Sequence, residues 1–123
     1  MRTMFRGAAA LATAATAVVA LSGAAQARPA DTWDGCPSGA VCIYGENVDP
    51  SANPHPTQVF WSYGAHNLSN QYGWHWVTNN QTGGATASLC KAYNGGNCDF
   101  VMQPQWRYRV DLTPVNSITL NRP

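Results

Sequence analysis

The stretch WRYRVDL, residues 106–112, alternates without interruption. Successive side chains of an extended chain point to opposite faces. Trp106, Tyr108, Val110 and Leu112 therefore share one face, and Arg107, Arg109 and Asp111 share the other. That pattern predicts a half-buried strand. Arg107 and Arg109 are read as solvated beside Asp111, or as a hold for an anionic partner.

Working outward, the same character returns at 40–44, in VFWSY (59–63), WHWVTNN (74–80), ATASLC (85–90), DFVMQ (99–103) and VNSITL (115–120). Val, Ile, Tyr, Phe, Trp and Thr suit a pleated surface. Pro50, Pro54 and Pro56 exclude a regular ladder from 45–58. GAHNLSNQYG (64–73) and QTGG (81–84) read as turns, and RPADTWDG (28–35) as a loose lead-in. No helical 3.6-residue stripe occurs after residue 27. Six or seven short strands at about ten-residue spacing predict an all-β antiparallel sandwich or Greek-key barrel. The chain also hints at two weakly similar halves, each opening with an aromatic strand and a Cys pair.

The first residues have a different character. Arg2 and Arg6 precede an uncharged Ala-rich run over 8–24, and Ala25-Gln26-Ala27 supplies the small residues a signal peptidase reads. Residues 1–27 are predicted to be a secretory signal peptide, too short and too rich in Ala and Thr for a membrane anchor. Residues 28–123 then form one domain, secreted and monomeric. It carries five basic residues against six acids, with no basic run and no amphipathic segment. Neither nucleic acid nor a membrane surface is an expected partner.

A chain this short buries little surface and is marginal by its core alone. Four cysteines, Cys36, Cys42, Cys90 and Cys98, in an exported protein read as disulfides. Three connectivities are open. The local one, Cys36 with Cys42 and Cys90 with Cys98, closes small loops worth about 2.5 kcal/mol each in the chain-entropy model. Zinc is disfavoured, because the gaps within the pairs exceed the usual structural spacing.

No G-x-S-x-G elbow and no H-E-x-x-H motif is present. His55, His66 and His75 lie in separate segments, the acids are scattered, and every cysteine is expected to be bridged. The chain is read as non-enzymatic, without metal or cofactor. Binding features are better represented. Tyr72, Trp74 and Trp76 share parity, so on one strand they form either a core face or an exposed aromatic platform for carbohydrate or cell wall. The Asn-rich turns at 67–70 and 79–80 have too few carboxylates nearby to favour calcium.

CPSGAVCIY at 36–44, YGAHNLSNQYG, NNQTGGA, the Cys pair around YNGGNC and DLTPVNSITL together resemble the Streptomyces metalloproteinase inhibitor family. The resemblance runs from Cys36 to Leu120. It implies a βγ-crystallin-like fold, with Greek-key strands in two packed sheets and two local Cys loops. It also implies a secreted inhibitor whose protease-contacting bond follows the first cysteine of the second pair. Carried over, the contact loop is Cys90, Lys91, Ala92, Tyr93 and Asn94, tethered by Cys98, and the partner is an extracellular protease, a metalloprotease first. A loop ordered in advance loses less entropy on docking. Lys91 stands where thermolysin-like enzymes favour a bulky apolar residue, and Gly95-Gly96 lengthens the loop. The calcium motif of βγ-crystallins is reduced to Asn116-Ser117.

Overall fold

A computed structural model describes residues 31–123; the predicted signal peptide lies outside the described residues. Eight strands follow one another in the described chain. They are β1 (Val41–Glu46), β2 (Gln58–Phe60), β3 (Gly64–Asn67), β4 (Trp74–Asn79), β5 (Ala87–Cys90), β6 (Cys98–Met102), β7 (Trp106–Asp111) and β8 (Ser117–Leu120). A single 3-10 turn, Tyr93–Gly95, sits between β5 and β6.

The strands form two four-stranded sheets in the orders β2-β1-β4-β7 and β3-β8-β5-β6. All pairings are antiparallel. Each half of the chain keeps its first, second and fourth strands together and sends its third to the other sheet. The two halves hinted at by the sequence are thus a repeat of topology.

The core lies between the sheets. Val41, Ile43, Val77, Leu89, Met102, Ile118 and Leu120 are buried there, and Tyr108 and Val110 pack against them. Burying each aliphatic side chain fully stabilises by about 1.5–3 kcal/mol. Two aromatic contacts bridge the two sheets at opposite edges: Phe100 of β6 meets Tyr108 of β7 edge to face at 5.4 Å, and Phe60 of β2 meets His66 of β3 at 5.0 Å.

Several expectations are corrected. The segment 64–73 is not all turn, because Gly64–Asn67 is the edge strand β3. Its Gly, Ala, His and Asn have weak strand preference, and the backbone pairing with β8 decides the matter. VFWSY keeps its strand only to Phe60; Trp61 and Tyr63 are exposed on the crossing to the other sheet. In the opening motif, Trp106 is 60% exposed, because it lies where β7 begins at the rim.

Nor are residues 31–35 of the lead-in loose; 28–30 lie outside the described residues. Trp33 and Cys36 exchange two backbone hydrogen bonds at 2.9 Å, and the Tyr44 hydroxyl donates to the Asp34 carbonyl at 2.7 Å. Arg107 pairs with Asp34 at 2.7 Å, not with Asp111, and lies 4.5 Å from the Trp33 ring centre. Arg109 donates to the Asn47 side chain and covers Trp74. This strap closes a second apolar cluster of Cys36, Ala40, Cys42 and Tyr44, with Trp76 packed against it.

Candidate functional site

Both disulfides are local: Cys36–Cys42 and Cys90–Cys98. The second closes a loop, 91–97, between adjacent strands β5 and β6. Lys91, Ala92, Tyr93 and Asn94 are exposed, Tyr93 by 58%. Cys90 is completely buried, so the displayed surface begins at Lys91. Cys90 belongs to β5, whose four residues are all buried.

The loop is polar and holds two glycines, yet its backbone is firmly held. Lys91 N–H donates to Asn97 O and Ala92 N–H to Gly96 O, both at 3.0 Å. From the β7–β8 connection, Asn116 donates to Lys91 O at 2.6 Å, and from the start of β8, Ser117 Oγ donates to Ala92 O at 2.7 Å while accepting from Gly95 N–H at 3.0 Å. From the end of β3, the Asn67 amide grips Asn94 twice: its Oδ1 accepts from Asn94 N–H at 2.7 Å and its Nδ2 donates to Asn94 Oδ1 at 3.1 Å. Asn94 has φ 60°, a left-handed conformation that asparagine tolerates better than most residues. Lys91 Nζ meets Asp99 at 3.1 Å in an exposed ion pair. Such pairs contribute little stability, so this one orients the lysine rather than holding the fold.

The aromatic set Tyr72, Trp74 and Trp76 does not form one platform. β4 begins at Trp74, and Gly73 before it has φ 78°, where an added Cβ would strike the Glu46 side chain. Shared parity ends at that turn. Trp76 is half-buried on the first disulfide cluster, and Trp74 is 46% exposed beneath Arg109. Tyr72 is 61% exposed and faces elsewhere, into a cleft of about 140 Å³ that Tyr93 also lines. Thus one residue from each of the two candidate sites meets at a single place. Asn70, Gln71, Thr113 and Asn116 complete its polar wall, with Leu68 and Val115 among its lining.

The loops 68–73, 91–97 and 112–116 build this end of the sandwich, and backbone bonds join them. Leu68 N–H donates to Asn116 O, Asn116 N–H to Cys90 O, and Leu112 N–H to Gly73 O, each at 2.9 Å. His75 fixes Tyr72 from below. It is 5% exposed, and its Nδ1 and Nε2 face the carbonyls of Tyr44 and Tyr72 at 2.6 and 2.9 Å. The imidazole is a brace here, not a ligand. His66 faces Ser62 O at 2.8 Å. Among the described residues no group of three or more His, Cys, Asp or Glu is placed to hold a metal ion.

Two carboxyls, Asp111 at the end of β7 and Asp49 in the β1–β2 connection, lie below the ordinary value of 3.8. Asp111 is held down first by the Thr113 backbone N–H, and Asp49 first by the Ser51 hydroxyl. Burial pushes the Tyr44 phenol above 10.0.

Sequence reasoning missed the buttress of Asn67, Asn116 and Ser117. Asn67 stood in an Asn-rich turn and Asn116-Ser117 in a remnant motif, which is signal of a kind, but neither names the loop it holds. No family model, no curated protein and no solved structure matches this chain.

Proposed function

We propose that the chain is a secreted peptidase inhibitor that offers residues 91–94 to an extracellular protease. The observation that carries this reading is the contrast within the loop. Lys91, Ala92, Tyr93 and Asn94 are exposed, while the backbone beneath them is pinned by a disulfide and by the side chains of Asn67 at the end of β3, Asn116 in the β7–β8 connection and Ser117 at the start of β8. A segment already fixed in one conformation forfeits little entropy when it docks. The same bonds oppose cleavage. A cut within the loop would leave the residues before it in β5 and those after it held by Asn116, Ser117 and Asn67, so the new ends stay in place to rejoin.

Lys91 and Ala92 already use their backbone groups internally, so the first contacts fall to the side chains of Lys91, Tyr93 and Asn94. The exchange of third strands between the sheets supports a βγ-crystallin-like, Greek-key reading of the fold. Two disulfides and the absence, among the described residues, of a helix long and apolar enough to cross a membrane accord with export. Metalloproteases come first as targets on the resemblance.

The test is residual activity of thermolysin-type, subtilisin-type and trypsin-type proteases with the purified domain. Stoichiometric inhibition of one class, lost in Lys91→Glu or in Cys90→Ser/Cys98→Ser, is the expected outcome. Full activity of all three at excess protein would sink the reading.

A further inference from the structure

We propose that the cleft between Tyr72 and Tyr93 is a binding site for a neutral saccharide. It lies beside the protease-facing surface and stands whether or not the inhibitor reading does. Tyr72 and Tyr93 are 61% and 58% exposed, although each sits on a backbone that hydrogen bonds fix. Large aromatic rings left open on well-ordered segments give flat apolar faces without the entropy loss of a flexible side chain.

Between them the wall carries Asn70, Gln71, Thr113 and Asn116, and no lining residue is charged. Amides and hydroxyls donate and accept together. That mixture suits a ligand bearing many hydroxyls, each a donor and an acceptor. The absence of lining charge disfavours a phosphate or a carboxylate, and a wall this polar is a poor receptacle for an apolar peptide side chain. A sugar ring has both required surfaces: a C–H face to lie on tyrosine and an equator of hydroxyls for the amides. At about 140 Å³ the open cleft is small, so it takes part of an oligosaccharide, one ring seated and its neighbours in solvent.

The site is also built in advance. His75 holds Tyr72 O, Thr113 Oγ1 accepts from Gly73 N–H at 2.8 Å, and Gln71 Nε2 donates to Ser69 O at 3.2 Å. No rearrangement is needed before a ring enters. The inference differs from a platform on β4: Tyr72 acts with Tyr93, and Trp74 and Trp76 take no part.

The experiment is an amide NMR titration of the isotopically labelled domain with chitotriose and cellotriose, and separately with a short apolar peptide. Saturable shifts with at least one saccharide, clustered on 69–73, 93–94 and 113–116, are expected. Tyr72→Ala should weaken that binding about tenfold or more, and Asn70→Ala should weaken it less. Both residues are exposed; Asn70 has φ 59°, so its alanine variant carries some backbone strain, and a check of amide dispersion establishes that it is folded. No saturable shift with either saccharide overturns the proposal. So do shifts centred on Trp74 or Trp106, binding of the peptide alone, or unchanged affinity in Tyr72→Ala. Protease inhibition is assayed on the same Tyr72→Ala protein and should be intact, so the two readings fail separately.

Discussion

The two disulfide loops are made of the same chemistry and end in opposite situations. Cys42 lies in β1 and Cys90 in β5, the first strand of each half. The first bridge reaches back to Cys36, and both its cysteines are fully buried beneath Trp76. The second reaches forward to Cys98, which is exposed, and the residues it encloses face solvent. The difference lies in what covers each bridge. Segment 32–36 straps the first, tied by Asp34 to Arg107 and by the Tyr44 hydroxyl. Only the undersides of the second loop are gripped, by Asn67, Asn116 and Ser117. A disulfide therefore serves as a core element in one half and as the base of a display in the other.

That contrast breaks most sharply on removal of the bridges. Cys36→Ser/Cys42→Ser should cost about 3–5 kcal/mol, because it loses both the loop closure and packing in a buried cluster. Cys90→Ser/Cys98→Ser should cost nearer 2 kcal/mol, since the buttressing hydrogen bonds remain. Urea midpoints of the two variants measure this, and equal losses would erase the distinction.

His75→Phe removes the ring nitrogens that face the Tyr44 and Tyr72 carbonyls and, since a neutral imidazole donates one N–H, should cost about 1–3 kcal/mol. Its diagnostic sign is altered amide shifts at 69–73 and at Gly45, which follows the Tyr44 carbonyl, with the loop 91–97 unaffected.

Arg107→Met sharpens the other side. Its guanidinium and Asp34 are 16% and 30% exposed, so the variant leaves a largely covered carboxylate unpaired, at about 1–2 kcal/mol. Faster hydrogen exchange at the Trp33 and Cys36 amides, with the loop 91–97 unchanged, is the expected readout.

The smallest effects are those of pH, and the two ends should differ in direction. Folding lowers the Asp111 and Asp49 carboxyls, so their contribution is present above about pH 3.8 and fades as pH falls through their folded values. Folding raises Tyr44, so its contribution holds up to pH 10.0 and is lost as pH rises through its folded value. Tyr44→Phe should flatten the alkaline limb of a stability profile and leave the acid limb alone; Asp111→Asn should soften only the acid limb.

Strand-forming composition and alternation were enough to determine an all-β chain, because a half-buried sheet imposes its two-residue period directly on the residues that build it. WRYRVDL and WHWVTNN carry that imprint, and GAHN does not, since its strand exists only through pairing with β8. Four cysteines likewise pointed to disulfides, with two short loops as one of three open connectivities. What lay around those loops was decided by tertiary structure alone. Arg107 found Asp34, Asn67 found Asn94, and Tyr72 found Tyr93 across separations of 73, 27 and 21 residues. Neither strand period nor turn composition encodes which loops meet at the end of a sandwich. That is set by the order in which the strands pair, and here by the crossing of each third strand to the opposite sheet.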